Sequence, residues 1–271
     1  LAATFRDYAG QLSDLQGTLN TRIAGTVEQL DSYLAEIATL NEKIIQTQSG
    51  GGNVNPLLDS RSELLKKVSE QVDIDYIQQP DGSLAIFLSN GKALVQGGTS
   101  WPLEAVRNPA TGFYDVAFED DPATPLNGVI TGGSLGAYLE VRDTDIQGYL
   151  DQLNALAGTL VDQVNGRHAG GFDKNGNVGG LFFVDVTEAK DMAVNSAVTA
   201  DRSLIAASAT VNGDGDNARL MGTLRDALSM NSATTTFSAY VGSLIGQVGT
   251  DVNTAEQSYN QRNAVMSTLN N

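Results

Sequence analysis

Residues 4–47 read TFRDYAGQLSDLQGTLNTRIAGTVEQLDSYLAEIATLNEKIIQT, and the spacing of the apolar residues in this stretch decides the fold. Phe5, Tyr8, Leu12, Leu15 and Leu19 recur at gaps of three and four, and Ile23, Val27, Leu30, Leu34, Ile37, Asn41 and Ile44 continue the stripe. Such gaps keep side chains on one face of an α-helix, whose period is 3.6 residues. The opposite face is Asp, Gln, Thr, Ser and Glu, and no proline interrupts the run. At 1.5 Å per residue this predicts a helix of roughly 65 Å. A stripe of that length needs an equally long cover.

The far end of the chain carries a second stripe: Phe237, Val241, Leu244, Val248, Val252, Ala255, Tyr259, Met266 and Leu269, with Arg262 taking one place. Both stripes contain one step of four followed by four, which relaxes the left-handed supercoil of a strict seven-residue repeat. The expectation is an α+β protein: an elongated bundle of long antiparallel helices formed by both chain ends, with a small antiparallel β insertion. In this reading residues 1–72 and 132–271 make one discontinuous helical rod with a mixed segment at 169–230, and residues 73–131 make a separate β domain.

Between the ends, SGGGNVNP interrupts the helical pattern, and Asn55 and Pro56 are expected to open a helix running to Val72. From Asp73 the period falls to two. Turn signals at Pro80-Asp81-Gly82 and Asn90-Gly91 separate short strands, and Val129-Ile130 reads as a last one. Ser134 is expected to cap a third long helix with a stripe through Leu135, Arg142, Leu153, Leu156 and His168. Short strands are expected around residues 181–184 and 192–194. Asn212-Gly213-Asp214-Gly215 reads as a tight turn, with Asp216 capping a short helix through Leu228 and the last long helix following Asn231 and Ser232.

Composition narrows the function. The chain has 271 residues, 41% hydrophobic content and a formal net charge of −16, so it can bury a core and is repelled by nucleic acid and by anionic membrane surfaces. No apolar run approaches membrane-spanning length, and no cleavable signal peptide is visible. The absence of cysteine excludes disulfides, thiol catalysis and cysteine–zinc sites. Leu1 in place of Met, and helical pattern at both ends, read as the core of something longer.

No chemistry-bearing constellation emerges. His168 is the one histidine, it has no nucleophile motif to serve, and it reads as a packed helix end. Asp173-Lys174-Asn175-Gly176-Asn177 resembles the start of a calcium loop, but Val178 and Val184 stand where Gly and Glu are needed. Asn212, Asp214 and Asp216 fail likewise, at Asn217 and Thr223. Gly132-Gly133-Ser134-Leu135-Gly136 lacks the dinucleotide spacing. Arg61, Arg142 and Arg262 each occupy a stripe position; for the first two, the reading is a carboxylate partner on a neighbouring helix. Asn41 reads as a buried polar residue that fixes helix register. No catalytic, metal or cofactor site is expected.

Two long blocks carry a family resemblance. AEIATLNEKIIQTQSGGGNVNPLLDSRSELLKKVSEQVDIDYIQQPDGSLAIFLSNGKALVQGG and GGSLGAYLEVRDTDIQGYLDQLNALAGTLVDQVNGRHAGGFDKNGNVGGLFF resemble the flagellar hook-associated proteins of the hook–filament junction, and GDGDNARLMGTL is a shorter match. The matching motif residues are Asn55, Leu57, Leu58, Asp59 and Arg61 in the first block. In the second they are Gly133, Leu135, Arg142, Asp143, Leu153, Asn154, Ala157, Asn165, His168 and Gly171. The resemblance implies a structural subunit of the bacterial flagellum that joins hook to filament by axial helix packing. It also implies export without a cleavable signal, through the flagellar export apparatus, to an extracellular position. The implied partners are the hook protein, a second junction protein and flagellin, with no cofactor, nucleic acid or membrane. Family members continue at both ends into further heptad helices, so the chain by itself is expected to be monomeric. Two rivals stay open: a flagellin-like or filament-cap subunit of the same organelle, and a secreted glycan-binding or hydrolase module.

Overall fold

The computed structural model describes residues 1–211 and 213–269, with side chains described as far as residue 261. Asn212, Asn271 and the side chains of Arg262, Met266 and Leu269 lie outside the described residues. The fold is α+β. Its elements run α1 (Ala2–Ser49), α2 (Asn55–Gln71), β1 (Ile74–Gln78), β2 (Leu84–Leu88), β3 (Ala93–Gln96), β4 (Thr99–Ser100), β5 (Leu103–Arg107), β6 (Tyr114–Phe118), α3 (Gly133–Glu140), a π-helical turn Val141–Asp145 and α4 (Ile146–Ala169). Then follow α5 (Ser196–Ala200), α6 (Asp216–Thr223), β7 (Leu228–Met230), β8 (Thr235–Thr236) and α7 (Phe237–Leu269). Short 3-10 turns lie at Ala189–Asp191, Arg202–Leu204 and Leu224–Asp226.

The chain divides into two compact units, one of Leu1–Gln11 with Gly148–Asn271 and one of Leu12–Gln147. This differs from the expected division, which set residues 73–131 apart. The physical reason is the core of the second unit. Ile23, Val27, Leu30, Leu34 and Ile37 of α1 share one apolar cluster with Leu64 and Val68 of α2, Leu84, Ile86 and Leu94 of the strands, and Leu135 and Leu139 of α3. The strands are the cover that the α1 stripe requires. They form an antiparallel sheet in the order β1-β2-β3-β4 and a separate β5-β6 ribbon. β1 meets β2 from Ile74↔Leu88 to Gln78↔Leu84, and β5 meets β6 from Leu103↔Phe118 to Arg107↔Tyr114.

In the other unit, α7 runs beside α4. Tyr240 Oη reaches the Gln152 carbonyl at 3.4 Å, Gln152 donates to Gln247 at 3.1 Å, and Tyr149 meets Asp251 at 2.7 Å. Arg6, in the first turns of α1, donates to the Met192 carbonyl at 2.7 Å. Both described chain ends therefore belong to this unit. Of the expected α7 stripe, Val241, Val248, Val252 and Tyr259 are 36% to 68% exposed, as is Ile245 beside it, while Tyr240 is buried. In α1, Tyr8 and Leu15 are likewise exposed, and Ala9 and Gln16 take the buried places. At Gln16 the buried place comes with a buried acceptor, the Arg142 carbonyl at 3.0 Å.

Several expected ends are corrected. Asn55 does not cap α2: Val54 holds that place, and the Asn55 N–H goes instead to Asn53 Oδ1 at 3.1 Å. Ser134 does not cap α3. Gly132 does, because Asp73 Oδ1 takes the Gly132 N–H at 3.0 Å, and a side chain on Gly133 (φ +69°) would collide with the Gln71 backbone. Asp216 opens α6 but does not cap it: Gly215 holds that place with a φ of 73°, Asp214 Oδ1 takes the Asp216 N–H at 3.0 Å in the turn before it, and the helix stops at Thr223, short of Leu228. The strands expected at 181–184 and 192–194 reduce to a single bridge, Phe183↔Val194. Val129-Ile130 is a turn, with both N–H groups donating to the Leu126 carbonyl.

Candidate functional site

Among the described residues, three buried polar clusters are chemically distinctive. The first lies in the second unit, where α1 and α2 hold the hairpin loops. Asn41 is fully buried and uses its whole bonding capacity. Its Nδ2 donates to the Leu84 and Gly97 carbonyls, both at 2.8 Å. Its Oδ1 accepts the Leu84 N–H at 3.0 Å and Arg61 Nη1 at 2.8 Å. Arg61 Nη1 also reaches the Gly82 carbonyl at 2.8 Å. Burial lowers the pKa of the guanidinium from its ordinary value. The expected carboxylate partner is replaced by an amide and a carbonyl. Of the neighbouring motif residues, Leu57 packs against the core, Leu58 is half-buried, and Asn55 and Asp59 are exposed.

The second cluster sits on the π-helical turn, in the same unit. Arg142 is 1% exposed. Nε and Nη2 grip Asp143 Oδ1 and Oδ2 at 2.6 and 2.9 Å, and Nη1 donates to Asn20 Oδ1 and the Tyr114 carbonyl, both at 2.8 Å. The Phe113 ring centre lies 5.2 Å from the guanidinium carbon. Asn20 Oδ1 also accepts the Tyr114 N–H at 2.7 Å, so one asparagine and one arginine tie β6 to α1. The carboxylate comes from the adjacent residue and not from a neighbouring helix. Adjacent residues do not face each other on an α-helix. The π turn changes that spacing and brings the fork and the carboxylate together.

The third cluster closes the C-terminal end of α4, in the first unit. His168 is fully buried; Nδ1 donates to the Gly180 carbonyl at 2.7 Å and Nε2 accepts the Ala206 N–H at 2.9 Å. That pair of bonds assigns the neutral ring with its proton on Nδ1. Asn165 Oδ1 accepts from Phe182 and Phe183 N–H at 3.0 and 2.9 Å, and its Nδ2 donates to the Phe183 carbonyl at 3.0 Å. Asn154 Oδ1 accepts the Ala189 N–H at 2.7 Å. Asn217 donates to the Arg167 and Ala206 carbonyls at 3.0 and 2.6 Å.

Two neighbouring carboxylates organise turns. At Asp173 burial opposes the charge, but the backbone and side-chain N–H groups of Asn177 and the backbone of Asn175 prevail and lower the pKa. Asp214 is held down at about 2, first by the Asp216 N–H and then by the Ala209 N–H. Both residues belong to the stretches weighed as calcium loops, and both spend Oδ1 on backbone N–H groups and Oδ2 on a side-chain donor.

Two clefts accompany these clusters. One of about 200 Å³ is lined by His168, Asp173, Asn177, Leu181 and Val198. The other, of about 290 Å³, is lined by Val27, Glu28, Asp31, Leu103 and Glu104. Asp31 Oδ1 accepts the Leu103 N–H at 3.1 Å. Gln16, Asn20, Asp73 and Asn217 carry as much of the arrangement as the motif residues, and sequence reasoning missed them. A polar residue on a helix gives no sign of which face it occupies.

Fold and clusters together define the class: an α+β protein in which long helices are braced against loops by buried arginine, asparagine and histidine. The family model described as the flagellar hook-associated protein FlgK helical domain matches residues 1–183, and the chain belongs to that family. Flagellar hook-associated protein 1 of Escherichia coli (strain K12) is 29% identical over 228 residues, covering 79% of this chain and 42% of the relative. The Salmonella typhimurium protein of the same description is 31% identical, covering 68% and 34%. That of Bacillus subtilis (strain 168) is 25% identical, covering 95% and 58%. The flagellar hook junction protein FlgK from Burkholderia pseudomallei superimposes with a TM-score of 0.62 at 32% identity, covering 68% of this chain and 34% of that one. The chain thus spans between about a third and three fifths of the length of these relatives.

Proposed function

We propose that this chain is part of a structural subunit of the bacterial flagellum, at the junction between hook and filament, where long helices pack along the axis and carry load between two tubes. The observation that carries this reading is the family match over residues 1–183, a span that holds the Asn41–Arg61, Asn20–Arg142 and Asn165–His168 clusters. Asn41, Arg61, Arg142, Asn165 and His168, all buried in that span, each bond to backbone, which suits a strut that must keep its shape under torque. The same commitment supports a non-enzymatic role: His168 has both ring nitrogens bonded to backbone at one cleft, and the Asp31 carboxylate at the other braces Leu103.

The partners in this reading are the hook protein, a second junction protein and flagellin, reached after passage through the flagellar export apparatus to the cell exterior. The charge of −16 keeps unassembled chains apart until they reach the growing end. The motif residues Arg61, Arg142, Asp143, Asn154, Asn165 and His168 serve as braces in it. The test is a deletion strain. Intact hooks with filament protein shed into the medium, restored by the complete gene, is the expected result. Normal filaments in the deletion strain would overturn the reading.

A further inference from the structure

Five Asn-Gly pairs occur in the chain: Asn90-Gly91, Asn127-Gly128, Asn165-Gly166, Asn175-Gly176 and Asn212-Gly213. This dipeptide is the one most open to spontaneous deamidation, because glycine has no side chain to block attack by its own backbone nitrogen. The reaction requires the asparagine side chain to swing until Cγ meets that nitrogen. A folded chain therefore grades its Asn-Gly pairs by how firmly each amide is held.

Asn212 lies outside the described residues, and the other four are held very differently. Asn165 is buried in α4 with three hydrogen bonds to residues 182 and 183. Asn127 is pinned at both ends, accepting the Val116 N–H and donating to Asp115 Oδ1, each at 2.9 Å. Asn175 is exposed, but its Nδ2 contacts Ser203 Oγ at 3.4 Å and its N–H is held by Asp173 Oδ1 at 2.8 Å. Asn90 is exposed at the tip of the β2–β3 hairpin. Its Oδ1 accepts the Lys92 N–H at 3.0 Å, and among the described residues its Nδ2 makes no hydrogen bond. Gly91 is exposed too, with a left-handed φ of +80° and open space where a Cβ would stand. One turn bond, from the Gly91 N–H to the Leu88 carbonyl at 2.8 Å, has to open to free the nucleophile.

We propose that Asn90 is a site of spontaneous deamidation and that, of the four described Asn-Gly pairs, it is the one at which the folded protein first acquires aspartate and isoaspartate. Gly91 N loses its proton to solvent and attacks Asn90 Cγ; the new C–N bond closes a succinimide as the Cγ–Nδ2 bond breaks, and Nδ2 takes a proton from solvent and leaves as ammonia. Water then opens the ring at either carbonyl. Both products replace a neutral amide with a carboxylate. Isoaspartate also adds one methylene to the main chain between Leu88 and Lys92, whose N–H to carbonyl bond of 2.9 Å closes the hairpin. The residues on either side, Leu88 and Leu94, are buried in the core over α1. The change therefore acts on the end of a sheet that covers the longest helix.

The experiment holds the full chain at mildly alkaline pH, samples it over time, and maps the amide-to-acid mass gain by peptide mass spectrometry, folded and in denaturant. In denaturant the four pairs convert at comparable rates. In the folded protein Asn90 converts several-fold ahead of Asn175, and Asn127 and Asn165 stay intact over the same period. Folded protein in which Asn127, Asn165 or Asn175 converts ahead of Asn90 overturns the proposal. A second arm on ion exchange compares two chains that both carry Asn212→Asp: the one with Asn90→Asp as well grows acidic species more slowly than the one that keeps Asn90. Equal growth in both would also overturn it.

Discussion

Arg142 shows why a charged side chain can stand in a core position without being a defect. All its nitrogens are bonded: two hold the Asp143 carboxylate and the third is shared between Asn20 and the Tyr114 carbonyl. Truncation leaves these acceptors facing an empty space. Arg142→Ala is expected to cost on the order of 3–5 kcal/mol, the range for breaking a buried pair by removing one partner. Urea denaturation measures it, and an unchanged midpoint would show that the guanidinium is not needed. Asp214 tests the opposite kind of residue, a surface carboxylate. Its pKa is depressed from 3.8 to about 2 by the Asp216 and Ala209 N–H groups. A depressed carboxylate stabilises above its unfolded value, and the contribution disappears as pH falls through the folded one. Asp214→Asn should therefore flatten the loss of stability between pH 3.8 and about 2, with little change in the slope near neutrality. Acid titrations of the two proteins, followed by circular dichroism, make the comparison.

At the scale of elements, apolar period carried α1, α2 and the α3–α4 run, because these helices bury one face continuously. β1, β2, β3, β5 and β6 were legible from alternation and from Gly and Pro turns, and β4, two residues long, was not. What escaped has physical causes. The π turn adds no residue pattern of its own, so Arg142 was paired with the wrong carboxylate. The exposed α7 stripe has the same spacing as a buried one, and spacing says nothing of what is there to cover it. Arg61, Arg142, Asn165 and His168 stood out as polar residues in apolar stripes or motifs, whereas Asn20 and Asn217 looked like surface positions. The β7–β8 hairpin was missed because its turn uses Asn231, Ser232 and Ala233 at φ of 50°, 58° and 63°, where glycine would be expected. A left-handed residue with a Cβ costs roughly 1–2 kcal/mol. Ala233→Gly removes that cost but adds unfolded-state freedom worth about 0.5–1 kcal/mol, so a net gain of up to about 1.5 kcal/mol is expected. Thermal denaturation that showed a loss would mean that the turn is not strained. Gly133→Ala should act in the other sense. A Cβ there meets the Gln71 backbone, and φ is +69°, so the entry to α3 must shift and the melting temperature fall.

For the whole molecule, charge and fold stability separate along the pH axis. There are 32 acidic residues against 16 basic ones, and the sequence pI is about 4.2. Ion pairs such as Lys67–Glu63 and Arg219–Asp216 are largely exposed, so they offset little of the repulsion. Near neutral pH the net charge holds chains apart and works against compactness, and added salt screens both effects. The melting temperature should accordingly rise as ionic strength is raised from a low value. As pH falls toward 4.2 the net charge vanishes and the repulsion between chains goes with it. Asp214 remains ionised there, because its pKa lies near 2, and the turn before α6 keeps its bonds. The apolar positions left exposed on α7, among them Ile245, Val252 and Tyr259, are then free to meet one another. The expected outcome is association of folded chains near the pI: light scattering rises while the helical circular dichroism signal is kept, and neutralisation reverses it. Scattering that rises only as the helical signal is lost would show that unfolding, and not the loss of charge, drives association.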